Sequence, residues 1–167
     1  MKIKPFALIL ALLAVCSLFS CNSTPNYANH ISAASLGDAV QTAIGADQQY
    51  MTAQASDYSF YFNDDPALSL VNDSTMRFHP EVTNVNEFGI FRAADEQSAK
   101  QVEQMIAAYL EMQTADLRSF AQNYSPEDLS KIDAARVERV GVYVVYLILS
   151  PQDASAAMDA IRKELTE

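Results

Sequence analysis

Residues 136–149, RVERVGVYVVYLIL, constrain the fold more than any other part of the chain. Two strand-like runs flank Gly141, which can adopt the positive φ that a tight turn requires. We therefore expect two antiparallel strands, 136–140 and 142–149, joined at this glycine. The second strand is apolar on both faces, so it should lie at the centre of a sheet that is covered on both sides. Its eight residues are too few to cross a bilayer.

A second pair of strands and the longest helix are predicted before this hairpin. EFGIFRA, at residues 87–93, has the alternation of a strand, and residues 75–78 are its expected partner. Asp95 should then begin a helix that extends to about Gln122, because apolar residues recur there at three- and four-residue steps. The predicted buried stripe consists of Val102, Met105, Ile106, Tyr109, Met112, Leu117 and Phe120.

Capping residues mark the other helices. Ser35 should cap a first helix that Gly45 ends, and Asp65 should cap a short helix that starts with proline. SPED at 125–128 and SPQD at 150–153 share one pattern, in which serine caps and proline takes the first helical position. The second of these should begin the C-terminal helix.

These elements together predict an α+β domain over residues 35–167. Its antiparallel sheet should have about four strands, with a long helix and a C-terminal helix packed on it. The aromatic run YSFYF at residues 58–62 fits either a strand or a turn that faces the core. Its rings could also line a groove for a sugar or a peptide, although core packing is the more usual role of such a cluster.

The first 21 residues are organised as a targeting signal. A positively charged MKIK precedes an uncharged apolar run at 6–19, which is shorter than the ~20 residues of a spanning helix. LFSC, at residues 18–21, resembles the lipobox of bacterial lipoproteins, whose cysteine sulfur is acylated and whose signal peptide is cut just before it. The resemblance implies a signal peptide at 1–20 and lipidation of Cys21.

This interpretation determines the fate of both cysteines. Cys16 would leave with the signal peptide and the sulfur of Cys21 would be alkylated, so the mature chain would contain neither a free thiol nor a disulfide. Residues 21–34 are polar and small, and we expect them to form the lipidated N-terminus and a flexible tether with a reach of roughly 20 Å. The protein should be held to the extracytoplasmic face of the cell membrane, with the membrane as its partner through acylated Cys21.

The net charge excludes one class of partner. The chain carries −10 at pH 7, and its 11 bases include Lys2 and Lys4 of the signal peptide. A mature chain would keep 9 bases against 21 acids, a net charge of −12. Such a field repels nucleic acid, and no nucleic-acid partner is expected.

EFGIFRAAD, YSPEDLSKI and VERVGVYVVYLILSPQD together resemble the bacterial lipoprotein family known as domain of unknown function 4358. Tyr124, Pro126, Gly141 and Tyr143 match the family pattern, whereas the hairpin ends in SPQD at 150–153 where the family often has Ser-Asp-Asp. The matching residues belong to caps, turns and strands. The resemblance therefore implies a fold and a lipid-anchored location, and it implies no catalytic activity.

A cluster of acids is the main candidate for chemistry. Carboxylates at this density could bind a hard cation or take part in acid–base catalysis, although they lack the spacing of a calcium loop and a solvated loop is the favoured explanation. The two histidines form no HExxH pattern, and neither a metal nor another cofactor is expected. The four acids are Asp57, Asp64, Asp65 and Asp73.

Two functional hypotheses follow from these observations. The leading one is a non-enzymatic, membrane-anchored extracytoplasmic domain that binds an unknown envelope protein or ligand. The alternative is a small cell-envelope hydrolase that uses the loop carboxylates.

Overall fold

The structure is a computed structural model that describes residues 26–45, 50–81 and 83–166. The predicted signal peptide and the lipidation site lie outside these described residues. The strands are β1 (Met51–Thr52), β2 (Val71–Phe78), β3 (Glu87–Ala93), β4 (Arg136–Val140) and β5 (Tyr143–Ile148). The helices are α1 (Ala33–Ala43), α2 (Tyr58–Tyr61), α3 (Glu96–Tyr124), α4 (Leu129–Asp133) and α5 (Pro151–Thr166), with 3-10 turns at Ala55–Asp57, Pro66–Leu70 and Pro126–Asp128.

One antiparallel sheet organises the fold. Its strand order is β1-β2-β3-β5-β4, so the predicted α+β architecture is confirmed with five strands in place of about four. The additional strand is β1, which pairs with the end of β2 through only two residues, Met51 with Phe78 and Thr52 with Arg77. Neither residue of β1 is buried, and a strand this short leaves no apolar alternation in the sequence.

The prediction of a hairpin with a central second strand is confirmed. Gly141 has φ +58 between β4 and β5, as the tight turn requires. All six residues of β5 are buried, and β5 lies between β4 and β3. It pairs with β3 from Glu87 opposite Ile148 to Arg92 opposite Tyr143.

Helices cover both faces of the sheet. On one face, α1 and α5 pack together over Phe88 and Ile90 of β3. On the other face, α3 and α4 pack over Phe91 and Ala93 of the same strand. The buried stripe of α5 consists of Ala154, Ala157, Met158, Ile161 and Leu165.

At the starts of α3 and α5 the predicted caps are confirmed, whereas the predicted cap at Ser125 is wrong. The Asp95 carboxylate accepts a hydrogen bond from the Ser98 amide at 2.7 Å, and Ser150 Oγ accepts one from the Asp153 amide at 3.1 Å. Ser125, in contrast, makes no capping hydrogen bond with its side chain. Its backbone has φ −149 and ψ 67, because the same residue also ends α3, and its hydroxyl is buried among the described residues without a partner.

The first helix begins earlier than the sequence predicts. Ser32, and not Ser35, is the capping residue of α1: its hydroxyl accepts a hydrogen bond from the Ser35 amide at 3.1 Å. The Asp73 carboxylate of β2 accepts a second one, at 2.8 Å, from the amide of Ala33. A carboxylate at a helix N-terminus also interacts favourably with the helix dipole, so β2 helps to set where α1 starts.

A buried arginine fastens α1 to the sheet. Arg77 of β2 is only 7% exposed and donates hydrogen bonds to Asp38 at 2.8 Å and to Gln41 at 2.6 Å. The same guanidinium reaches the carbonyl of Ala34 at 3.0 Å. Gly37 lies directly over it, where a Cβ would collide with the guanidinium carbon. A side chain at this position would therefore force the guanidinium to shift from its partners on α1.

The prediction of a flexible tether through residue 34 is wrong for residues 26–34. The amide of Ala28 donates to the Leu165 carbonyl at the end of α5 at 2.8 Å, and the Tyr143 hydroxyl donates to the Ile31 carbonyl at 2.7 Å. Tyr27 and Ile31 also pack against the core. These two apolar side chains, isolated in a polar stretch, give no periodic signal in the sequence.

The long helix α3 extends beyond the sheet, and part of its predicted buried stripe is exposed. α3 has 29 residues, or roughly 44 Å, whereas the seven residues of β3 span roughly 23 Å. The stripe is buried as far as Tyr109, but Met112 is 42% exposed and Phe120 is 39% exposed. Both residues follow Tyr109, the residue through which α3 contacts the first residue of β3.

A close approach between β3 and β5 generates a stability prediction. A Cβ at Gly89 would overlap the ring of Tyr146, its direct partner across the strands. Gly89→Ala is expected to lower the free energy of unfolding by about 1–3 kcal/mol, measured by denaturant titration. The cost should shrink in a Tyr146→Val background, because the short side chain removes the overlap. An equal cost in both backgrounds would contradict this explanation.

Candidate functional site

The two ends of the sheet have different chemistry. At the first end, which we call the Glu87 end, β3 and β4 begin and β2 and β5 finish. At the opposite end, which we call the Gly141 end, β4 turns into β5. Because α3 follows the last residue of β3, it runs from the Gly141 end towards and past the Glu87 end.

A buried carboxyl group lies at the Glu87 end. Glu87 is 4% exposed, and its Oε1 accepts hydrogen bonds from the hydroxyls of Tyr109 and Tyr146, both at 2.6 Å. The amide of Gln113 lies 3.4 Å from Oε2. One carboxyl therefore joins β3, β5 and the long helix through neutral donors.

Burial controls the protonation of this cluster. It raises the pKa of Glu87 above its ordinary value, and the hydrogen bonds from Tyr109, Tyr146 and Gln113 oppose that shift more weakly. Burial and the neighbouring Glu87 carboxyl also raise the pKa of both tyrosines, so each keeps its proton and remains a donor. The carboxyl is held by neutral hydroxyl and amide groups, and its ionised form lacks the hydration that water would give it.

Large apolar side chains are exposed at the same end of the molecule. We call them the apolar end surface. Met51 pairs with the last residue of β2, Phe60 is on α2, and the other three follow Tyr109 on α3. Phe120 and Tyr124 stack on each other with ring centroids 5.0 Å apart. The apolar end surface consists of Met51, Phe60, Met112, Phe120 and Tyr124, which are 53%, 82%, 42%, 39% and 76% exposed.

An aromatic row connects this surface with the buried carboxyl. The ring of Tyr61, which is half-buried, lies 5.9 Å from Phe60 and 6.5 Å from Tyr109. Tyr109 in turn donates to Glu87. A contact at Phe60 is thus two aromatic rings away from the carboxyl, but a molecule at the surface does not reach a group that is 4% exposed.

The aromatic run at 58–62 is a short helix, so the strand alternative is wrong. Tyr58 and Phe62 are buried, while Phe60 points outward. The helix ends where Asn63 and Asp64 both adopt positive φ, at 51 and 54, a conformation that asparagine and aspartate tolerate better than most residues.

The four predicted acids occupy separate environments. Asp57 is exposed and accepts from the Ser56 hydroxyl at 3.2 Å, and Asp64 is exposed in the turn after α2. Asp65 caps the Pro66–Leu70 turn by accepting from the Ala67 amide at 2.8 Å, which confirms its predicted role as a cap.

Asp73 has a structural role in the fold. Besides capping α1, its carboxylate lies 3.8 Å from Nε of Arg92. It also lines a shallow cleft of about 390 Å³ together with Tyr58 and Ser74. A register shift between Val71 and Asp73 in the pairing with β3 shapes this cleft. The carboxylate already accepts a hydrogen bond from α1, and the cleft around it is lined by both apolar and neutral polar side chains.

Metal-binding geometry is absent from the described residues. No group of three or more histidine, cysteine, aspartate or glutamate side chains there is arranged to hold a metal ion. His79 accepts a hydrogen bond from the Glu81 amide through Nδ1 at 3.1 Å and packs edge-on against Tyr50. His30 is exposed in the docked N-terminal segment.

Sequence reasoning missed the Glu87 cluster. The strand pattern of β3 contains the signal, because residues 87, 89 and 91 face the same side as the buried stripe of α3. A glutamate at such an inward position needs hydrogen-bond donors, and Tyr109 of the predicted stripe can supply one. The glycine opposite Tyr146 is the second signal, since only its lack of a side chain lets that ring lie across β3.

The fold and the site define a small antiparallel α+β domain with a buried, tyrosine-bound carboxyl at one end. The family model described as "Domain of unknown function (DUF4358)" matches residues 67–149, about half of the chain. The chain belongs to this family, as the strand, cap and hairpin motifs indicate. No curated protein and no solved structure matches the chain. In the part of the chain that the structure describes, no helix combines the length and hydrophobicity needed to span a bilayer.

The buried carboxyl generates a prediction of pH dependence. Because the pKa of Glu87 is raised on folding, the folded state binds this proton more tightly than the unfolded state does. Its contribution to stability is therefore present at low pH and is lost as pH rises from about 4.5 through the raised pKa. Glu87→Gln keeps an acceptor for the tyrosines and should gain stability relative to wild type across that window, measured by urea unfolding at a series of pH values.

Two further variants make this measurement specific. Glu87→Ala leaves the hydroxyls of Tyr109 and Tyr146 without an acceptor and should cost about 1–3 kcal/mol for each of them. Glu111→Gln changes an exposed glutamate on α3 and serves as the matched charge control. A difference between wild type and Glu87→Gln that stays constant with pH would show that Glu87 does not titrate as described.

Proposed function

We propose that this protein is a lipid-anchored, extracytoplasmic domain without enzymatic activity, which binds a protein partner of the cell envelope through its apolar end surface. The observation that carries the proposal is the position of the five large exposed apolar side chains, all of them at the Glu87 end. Apolar exposure concentrated at one end of a folded domain marks an interaction site, and the stacked Phe120 and Tyr124 are in direct contact there.

The sequence at the N-terminus supports the anchor. LFSC at residues 18–21 follows an apolar run of the length that a signal peptide has, and Cys21 supplies the sulfur that acylation requires. Two or three acyl chains on this residue would hold the domain stably to a membrane.

The character of the exposed side chains supports binding to a protein. Phe60 and Tyr124 are mostly exposed, and aromatic rings contribute large contact area at low cost in side-chain entropy. Phe120 and Tyr124 stack about one turn apart on α3, and Met112 lies about two turns before them. A helix that offers exposed apolar side chains suits a groove or a second helix on the partner.

The charge of the chain indicates the chemistry of the partner. A mature chain would carry −12, so the partner segment should combine apolar side chains with basic residues. This balance also disfavours nucleic acid.

Mass spectrometry of the mature N-terminus tests the anchor. The expected result is a chain that begins at Cys21 and carries the mass of its acyl groups. Cys21→Ala should leave the signal peptide uncut at this position and remove the acyl mass. An unmodified Cys21, or a mature chain that starts elsewhere, would overturn the lipid-anchored location.

Site-specific photo-crosslinking in intact cells tests the partner contact. A photoreactive residue at Phe60 or Phe120 should give one discrete crosslinked protein, and the same residue at Lys100, near the start of α3, should not. In a chain with the crosslinker at Phe60, Tyr124→Ser should reduce the yield several-fold, because an aromatic contact residue is truncated.

Controls separate contact from folding. Gln122→Ser alters a neighbouring exposed position of α3 and should leave the crosslinking yield unchanged. Tyr124 is 76% exposed, so its substitution should leave the midpoint of unfolding nearly unchanged. Equal yields from Lys100 and Phe60, or no effect of Tyr124→Ser, would contradict a contact at the apolar end surface.

A further inference from the structure

We infer that the Gly141 end of the fold is the surface that faces the headgroups of the anchoring bilayer, so that the apolar end surface points away from the membrane. This inference rests on the proposed lipidation of Cys21. It follows from where the chain enters the fold and from how few residues precede that point.

The N-terminal segment is docked at the Gly141 end by contacts on three elements. The Ala28 amide is bonded to the Leu165 carbonyl at 2.8 Å, and the Arg92 guanidinium reaches the Asn29 carbonyl at 3.3 Å. Arg92 is near the end of β3, and Leu165 is near the end of α5. Tyr27 lies against the turn itself, where a Cβ on Gly141 would be 3.4 Å from that of Tyr27.

The chain between the anchor and this docking point is short. Asn26 already borders a cleft with Leu165 and Thr166, and it is five residues from Cys21. Five residues span at most about 18 Å when fully extended, and roughly 12 Å as a coil. The reach of roughly 20 Å expected for a tether through residue 34 therefore shrinks, because residues 26–34 belong to the folded body.

The dimensions of the sheet exclude the inverted orientation. β2 has eight residues, so the Glu87 end is roughly 26 Å from the Gly141 end. If the Glu87 end touched the bilayer, Asn26 would have to stand about that far above it, which exceeds the ~18 Å that the chain can span. The overhanging part of α3 after Tyr109 adds roughly 22 Å in the same direction.

The residues at the Gly141 end suit an aqueous headgroup layer. Asn26, Asn29 and Thr166 are exposed and polar, Asp95 and Glu96 add exposed acids at the start of α3, and none of the five large exposed apolar side chains lies there. The surface has no anchor residue of its own, so the acyl chains supply the attachment and the short chain supplies the orientation.

Fluorescence energy transfer on the intact lipoprotein tests this orientation. A mature chain with an alkylated Cys21 has no other thiol, so a donor dye can be placed on a single introduced cysteine. Thr166→Cys labels the Gly141 end, and Gln122→Cys labels the overhang of α3. The lipidated proteins are reconstituted in phosphatidylcholine vesicles that contain a trace of lipid with an acceptor dye on its headgroup, and only outward-facing protein is analysed.

The expected result is transfer several-fold stronger from position 166 than from position 122. Equal transfer, or stronger transfer from position 122, would overturn the inference. Flotation of the same vesicles distinguishes this failure from failure of the proposed anchor: protein that does not float with the vesicles lacks the anchor, whereas floating protein with reversed transfer has the anchor and another orientation.

Lengthening the tether tests the cause of the orientation. Insertion of about twenty glycine and serine residues after Pro25 raises the extended length to about 85 Å, enough for any orientation. The difference between the two positions should then largely disappear while flotation persists. A difference that survives the insertion would overturn chain length as the cause.

Discussion

The antiparallel pairing of β3 with β5 is the constraint on which the rest of the structure depends. These strands are separated in sequence by the whole of α3, α4 and β4, yet each is buried on both faces. Burial on both faces requires two helical layers, which α1 with α5 and α3 with α4 provide. The direction of β3 then sends α3 past the Glu87 end, and the direction of β5 returns α5 to the Gly141 end. The two chemically different ends of the molecule are consequences of this one pairing.

Glu87 shows what the pairing demands of side chains. A carboxyl at the first position of a buried strand loses its hydration. Hydrogen bonds from neutral donors compensate for only part of that loss. The replacement depends on Tyr146, whose ring can cross β3 only because residue 89 is glycine. Tyr109 then brings the helix to the same carboxyl. Hydrophobic packing alone allows a helix to slide along a sheet, whereas these directional bonds fix the register of α3 against both central strands.

The sequence predicts most of the fold because its local signals agree with one another. The hairpin at Gly141, the strand at 87–93 and the caps at Asp95 and Ser150 depend on turn chemistry and periodicity, which act over a few residues. The docking of residues 26–34 depends on contacts more than a hundred residues away in the chain, such as that of Ile31 with Tyr143, and periodicity cannot show it. The same distinction applies to the candidate site. The sequence shows that four acids lie close together in the chain, but tertiary contacts set their separate roles and the Glu87 cluster.

The length of α3 is the feature that topology alone does not explain. A helix of about 15 residues would already span the length of β3, and the chain needs only to reach the start of β4 at the same end of the sheet. The remaining turns are held by Ala121 and α4 on one side. They also leave Met112, Phe120 and Tyr124 exposed to solvent, and such exposure brings an isolated domain no stability. Under the proposed anchoring at Cys21, the membrane would lie at the opposite end, where the chain enters the fold, so lipid would be a poor candidate to cover these side chains. A partner protein at the far end would bury them, and the extra length of the helix would place that contact well clear of the membrane.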